Sequence, residues 1–282
     1  MTLAETPFVP LLQSDIAARA LRLLDRDARL RALPCDARAL AVQCRLPVIG
    51  ALGVTTRGPL FETGTPAEAR IAALRTLKLH LVNAADADAG VDLRAAGFRQ
   101  VMTPATVAIL PTRASLPEQL ALASTEWRGA ARQGLDGEAS LSMRRFEPSR
   151  DRWLLDRDRV QQRERGFRAA GADFALALAR AAPADVWIAL AERARRPVAG
   201  MLFVRHEGSA TYHVGWSGEH GRRLRAHPAL LAMAAVRLCA MGVRELELGT
   251  LDTVRSPGLA RFKLGSGARA QRLGGTWIRL PV

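Results

Sequence analysis

A chain of 282 residues with 49% hydrophobic and 24% charged side chains is long enough for one large core or two smaller ones and has the composition of an ordinary soluble globular protein. Its 41 basic against 27 acidic side chains, a formal net charge of +14, favour an anionic partner: nucleic acid, a nucleotide or a phosphorylated substrate. That excess is weighed against a taste for Arg and Ala throughout the chain, and an aromatic content of 5% argues against a stacking platform for single strands.

Three cysteines, Cys35, Cys44 and Cys239, share no CxxC spacing and read as reduced, packed thiols of a cytoplasmic protein. No metal-ligand spacing links His80, His206, His213, His220 and His227, so no metal is expected. The segment MTLAETPFVPLL lacks the basic and apolar regions of a secretion signal. The most apolar helix, around Ala229 to Met241, contains Arg237 and is too short to span a bilayer. A cytoplasmic location follows as the expectation; oligomeric state leaves no signal.

In chain order, Ser14 to Leu24 has the spacing of an amphipathic helix capped by Ser14 or Asp15. Strands follow at Arg29–Leu33, Ala39–Cys44 and Val48–Thr55, the last apolar almost throughout and therefore expected to be central. After the turn Thr56-Arg57-Gly58-Pro59, a helix opens at Thr65-Pro66, with Pro66 at its first position, and runs to about Leu77. A strand is expected at Leu79–Val82, a short helix from Leu93 to Gly97, and a strand at Thr106–Leu110. Helices Leu116–Ala123 and Thr125–Arg132 precede strand Ala139–Arg145, and a highly charged helix spans Arg150 to Arg165. Then come helix Asp173–Ala181, strands Val186–Glu192, Val198–Val204 and Ala210–Trp216, helix Pro228–Met241 and strand Glu245–Leu248. A helix around Pro257–Leu264 and a single last strand, Ala270–Leu280, close the chain. The two halves share a weak self-similarity, which suggests two related α/β units, 1–147 and 148–282, joined near Glu147–Ser149.

The stretch LGTLDTVRSPGLARFKLGSGARAQRLGG, Leu248 to Gly275, holds the main chemical candidate. Lys78 and Lys263 are the chain's only two lysines, and Lys263 lies beside Phe262, ahead of Gly265-Ser266-Gly267. Lysine is a compact point charge on a thin stem, where arginine is a wide planar fork. The bland alternative is a surface lysine spared by chance.

Between strand Ala210–Trp216 and the following helix, Arg222, Arg223 and Arg225 cluster ahead of a helix N-terminus, a place suited to phosphate or carboxylate oxygens, or else a solvated loop. Asp252, just past strand Glu245–Leu248, would orient or deprotonate an attacking amine, or simply form a turn. Tyr212, the only tyrosine, is a candidate proton donor or a core residue with its hydroxyl at the rim; His213 next to it should face the other way. Trp216, Arg255 and Arg261 complete the candidates near Lys263. In the first half, Arg57 would hold an anionic acceptor group or serve its turn, while Trp127 reads as core and Arg128 beside it as a substrate-binding candidate reaching the cleft.

The order Pro197-Val-Ala-Gly-Met-Leu-Phe-Val204, Tyr212 to Trp216, then Gly258-Leu259-Ala260-Arg261-Phe262-Lys263 with Gly265 and Gly267 resembles the C-terminal half of the Fem-like (FemAB/FemX-type) transferases, relatives of the GCN5-related N-acyltransferases. Thr56-Arg57-Gly58-Pro59-Leu60-Phe61, Ala96-Gly97-Phe98 and Glu126-Trp127-Arg128 resemble that group's first half; Trp153-Leu154-Leu155 and Arg165-Gly166-Phe167-Arg168 resemble its middle. The resemblance covers the chain from about residue 45 onward. It implies an α/β (α+β) fold of two tandem GCN5-related (GNAT) units, each a mixed sheet flanked by helices. It also implies an acyltransferase that forms an amide bond by moving an aminoacyl group from aminoacyl-tRNA to an amine on a small molecule or peptide. In that family the lysine of the Phe-Lys motif faces the reacting carbonyl, and Lys263 matches it. No cofactor is implied.

Close relatives take acyl groups from thioesters, so acyl-CoA or an acyl carrier stands as the alternative co-substrate, and a non-catalytic relative binding an anion as the other. The chain departs from the acetyl-CoA enzymes at Arg222-Arg223-Leu224-Arg225-Ala226-His227, which lacks the glycines that let backbone amides close around a pyrophosphate.

Overall fold

The computed structural model describes residues 8–35, 37–46, 50–164, 166 and 171–279. The start of the strand expected from Val48, the end of the one expected at Leu280, and Arg165, Phe167 and Arg168 of the resemblance lie outside these residues. The elements are α1 (Asp15–Arg22), β1 (Asp27–Ala32), β2 (Arg38–Leu46), β3 (Gly50–Thr56), α2 (Ala67–Thr76), β4 (Leu81–Ala84), α3 (Ala89–Ala95), β5 (Arg99–Met102) and β6 (Thr106–Pro111). Then follow α4 (Leu116–Ala121), α5 (Thr125–Leu135), β7 (Ser140–Arg145), α6 (Pro148–Glu164), α7 (Ala172–Ala181), β8 (Val186–Arg193), β9 (Arg196–His206) and β10 (Ser209–Ser217). The chain ends with α8 (Glu219–Arg223), α9 (Ala226–Ala240), β11 (Glu245–Thr250), α10 (Pro257–Gly265), β12 (Arg269–Arg272) and β13 (Gly275–Ile278).

Two compact units result, Met1–Thr106 with Arg272–Val282, and Val107–Gln271. This differs from the expected division at 147/148. The junction at Glu147–Ser149 is a fixed corner inside the second unit. Arg144 on β7 grips Asp151 of α6 with two hydrogen bonds of 2.6 Å, and the Glu147 N–H donates to the same carboxylate. Asp151 is fully buried, and a bidentate guanidinium–carboxylate pair is among the more rigid polar links available.

In the first unit a mixed six-stranded sheet has the order β1-β2-β3-β4-β13-β5. The β3–β4 pair is parallel, joined by the α2 crossover, and the other pairs are antiparallel. α1 begins as its sequence suggests, the Ser14 hydroxyl oxygen accepting from the Ala17 N–H. Pro66 is the N-cap of α2 with extended backbone, one position before the expected one. Leu74, Leu77, Leu79, Val82, Leu93, Phe98 and Trp277 form the core.

The single last strand expected over Ala270–Leu280 is two strands in different sheets, β12 beside β6 and β13 between β4 and β5. Gly274 and Gly275 permit the break: a Cβ on Gly274 would meet the Asp86 carbonyl oxygen at 2.2 Å, and Gly275 has φ +83°.

The second unit carries a seven-stranded sheet of order β12-β6-β11-β10-β9-β8-β7. β7 to β10 form an antiparallel meander, and β10 and β11 run parallel, linked through α8 and α9. α9, apolar on nearly every face, packs on β8, β9 and β10 and against α4 and α5. Ala199 and Met201 of β9 share its core cluster. Gly200 faces the other way, and the space its missing Cβ leaves is taken by Trp153 and Leu154 of α6. The sheet of this unit is therefore covered on both faces. Among the described residues no helix is long and apolar enough to cross a membrane.

Candidate active site

The two strands that matter pair only briefly. β10 and β11 are joined at Ser209–Glu245, Ala210–Leu246 and Thr211–Glu247, and there the pairing stops. β10 stays paired with β9 as far as Ser217, and β11 with β6 as far as Thr250. Each strand thus keeps its outer neighbour while parting from the other. Both carry a bulge at the parting: His213 is skipped on β10, and β11 slips between Glu247 and Gly249. Parting exposes backbone groups at the carboxyl ends of parallel strands, the usual place for a site in an α/β sheet.

Lys263 fills part of this opening. It lies in α10, is 5% exposed, and its Nζ donates to the Thr250 carbonyl at 2.7 Å. Gly249 beside it has φ +80°, and a Cβ there would stand 3.7 Å from Nζ. Burial pulls the Lys263 ammonium down to about 8, with the Glu247 carboxylate partly opposing the shift. An ammonium has three N–H donors and Thr250 takes one, so donors remain for a second acceptor.

The turn after α10 fixes that helix. The Ser124 N–H donates to the Gly265 carbonyl, the Ser266 hydroxyl to the Lys263 carbonyl, and Gly267, at φ +92°, fits under Leu122. Phe262 lies between Trp127 and His227, with ring centroids at 6.1 and 6.2 Å. Trp127 is core, as expected from the sequence.

His227 closes the β10 side. Its Nε2 is 3.0 Å from the Trp216 carbonyl, and a carbonyl only accepts, so Nε2 carries the proton. Burial holds the imidazole near 4; the Trp216 carbonyl opposes the shift and Arg222 adds to it. It is neutral at physiological pH. Tyr212 lies along its own strand, with Oη where a Cβ on Gly215 would be, 1.6 Å from that position. Burial raises its pKa, and the charge of Asp158 raises it further. His213 turns instead to Phe174 of α7, 5.8 Å between centroids.

The remaining candidates are placed as follows. Asp252 is exposed and accepts from the N–H groups of Val254 and Arg255 at 3.0 and 2.7 Å, the arrangement of the turn-forming alternative. The Trp216 ring packs edge-on to Trp153 at 5.7 Å under Arg157, on the α6 side. The loop expected to present three arginines is partly helix: Arg222 donates to the Ser217 carbonyl, Arg223 stands 3.9 Å from Glu219, and Arg225 caps α9 at φ 51°. Arg255 and Arg261 are exposed and Arg128 half-buried.

Arg57 belongs to the first unit, buried in a turn at φ 63°, its N–H donating to the Asn83 carbonyl. Two residues of the site were not anticipated. Glu247 had a signal in the alternation Glu-Leu-Glu-Leu, which puts it outside the apolar face; His227 had none beyond its place at a helix start.

A family model described as an acetyltransferase (GNAT) domain matches residues 124–264, half of the chain, from α5 through Lys263. The chain belongs to this GNAT family. It is an acyltransferase of the GNAT type. No curated protein matches it by sequence. Among solved structures it is similar to the crystal structure of FemX, with TM-score 0.80 and 15% identity over 98% of this chain and 94% of that one. It is similar also to the C-terminal domain of a putative lysylphosphatidylglycerol synthetase from Agrobacterium fabrum, with TM-score 0.59 and 14% identity over 94% and 88%. A third is L-PGS from Bacillus licheniformis, with TM-score 0.53 and 13% identity over 97% and 94%. At these identities the likeness is one of fold, and it extends over both units of this GNAT chain.

Proposed function

We propose that this chain transfers an aminoacyl group from aminoacyl-tRNA to an amine on a small molecule or peptide, with Lys263 stabilising the oxyanion. The carrying observation is the buried Lys263 ammonium, tethered by one hydrogen bond at the parting of β10 and β11. The amine nitrogen bonds to the ester carbonyl carbon, the carbonyl oxygen becomes an anion, and the carbon–oxygen bond to the ribose then breaks. The proton lost by the amine ends on the leaving hydroxyl. An ammonium aimed at the anion strengthens its interaction as charge develops, and one such donor is worth ~2.7–4 kcal/mol.

The choice of donor rests on α9. Its first turn contains Pro228, which has no N–H, and its cap is a non-glycine residue in a left-handed conformation. A pyrophosphate cradle of consecutive backbone amides is thereby weakened, which favours a donor other than coenzyme A. The name of the lysylphosphatidylglycerol synthetases, whose fold the chain shares, points to aminoacyl transfer as well. The exposed Arg222, Arg223 and Arg225 keep a thioester donor as the second reading, their charges holding its phosphates.

The test uses aminoacyl-tRNA as donor and hydroxylamine as surrogate acceptor, with hydroxamate as product. Lys263→Ala should fold and lose on the order of 10²–10³ in turnover. KM for the tRNA should rise steeply with salt. Full turnover in Lys263→Ala would contradict the role, and a salt-independent KM would point to a small donor.

A further inference from the structure

α6 is among the most charged helices of the chain, and its three buried or paired acids are treated differently. Asp151 is fully buried and gripped by Arg144. Asp156 is exposed and has Arg152 at 4.0 Å and Arg159 at 3.7 Å. Asp158 is 9% exposed and, among the described residues, has no ion-pair partner. Its neighbour Arg157 is stacked on the Trp216 ring at 5.4 Å instead. One hydrogen bond reaches the Asp158 carboxylate, from Gln162 Nε2 to Oδ2 at 2.6 Å.

A carboxylate out of water without a cation is costly, and burial raises its pKa accordingly. Surface acids abound on this helix, so nothing in the helix itself demands an acid there. The surroundings are also built. Gln161 Nε2 donates to the Gly215 carbonyl at 3.4 Å and ties α6 to β10 next to Asp158. Gly215 is the residue over which Tyr212 lays its hydroxyl, and no larger side chain fits beneath it. The charge of Asp158 is felt at that hydroxyl. The carboxylate and the phenol therefore flank one short stretch of β10, just past the point where the strand parts from β11.

We propose that Asp158 is the seat of a substrate's primary ammonium group, the ammonium bringing this carboxylate the positive charge that no described side chain supplies. This rests on the amide-forming reading above, in which both substrates carry such a group: the α-ammonium of an aminoacyl donor and the amine of the acceptor. An ammonium brings three donors to a carboxylate with acceptor capacity to spare, and a neutral amide or hydroxyl brings no charge. No covalent step is involved.

The experiment compares melting temperatures of the wild-type chain and Asp158→Asn at fixed ionic strength, alone and with three probes. L-Alaninamide carries its ammonium beside a carbonyl, as a donor does; cadaverine carries it on a bare chain, as an acceptor does; N-acetyl-L-alaninamide has none. The expected result is that L-alaninamide or cadaverine stabilises the wild type, which one doing so assigns the source, and that the acetylated probe does not. Asp158→Asn should lose this stabilisation and, without ligand, melt about 2–4 °C higher, because an unpaired charge has been removed. Lys263→Ala should keep it. The proposal is overturned if neither amine stabilises the wild type, if Asp158→Asn responds as the wild type does, or if Asp158→Asn alone melts lower. Loss of turnover in Lys263→Ala alongside a wild-type response in Asp158→Asn would leave the transferase reading standing and remove only this one.

Discussion

Arg279 in the first unit and Lys263 in the second both donate to backbone carbonyls, and the two are used differently. In the first unit Arg279 donates to the carbonyls of Leu74, Ala96, Leu77 and Leu79, and its guanidinium lies over the Phe98 ring at 4.6 Å. These carbonyls lie at or just beyond the ends of α2 and α3, where helices leave acceptors unfilled. The planar fork has more than enough donors for them, and it is consumed by the task. In the second unit Lys263 meets one carbonyl, that of Thr250. Two of its three N–H donors remain. A saturated cation holds structure together; an unsaturated one is available to a substrate.

The contrast extends to titration. His206, His213 and His227, all in the second unit, are each held near 4 by burial. A histidine with a lowered folded pKa binds fewer protons than it does unfolded, so its contribution is fully present above about 6.5 and is lost as pH falls toward 4. The largest expected effect is therefore acid lability of the second unit, cumulative over three groups. Hydrogen exchange from pH 7 to 4 should show Val107–Gln271 losing protection before Met1–Thr106; the reverse order would break the comparison.

A smaller effect is expected at Arg279. Arg279→Ala leaves several carbonyls without their donor and should cost roughly 3 kcal/mol of stability. Turnover per folded molecule should not change. Denaturant melts paired with an active-fraction assay check both parts, and a catalytic loss in correctly folded protein would put Arg279 in the wrong class.

Much of this was legible from the residues. Lys263 stands out because the chain uses arginine almost everywhere else, and its burial agrees with the reason for choosing a thin stem over a fork. The apolar runs of β8 and β9 and the apolar α9 announced themselves by composition. Other features did not. Asp158 and Asp156 are two positions apart on the same helix and read alike until the sheet is placed against one of them. The corner at Glu147 looked like a boundary because the Arg144–Asp151 pair that locks it is invisible in a charge count. β12 and β13 looked like one strand because a two-glycine break is too short to separate them by pattern, and only pairing sends them to different sheets. Asp252 makes the local turn that its sequence already offered as one of two alternatives.

With only two lysines in the chain, the state of the decisive one can be read directly. Carbon-13 labelling at lysine Cε gives two resonances, and Lys78→Arg assigns the one that belongs to Lys263. This resonance should titrate near pH 8, because burial lowers the ammonium's pKa. A Lys263 resonance that titrates at the ordinary lysine value of about 10.4 would place the ammonium in water and contradict the account.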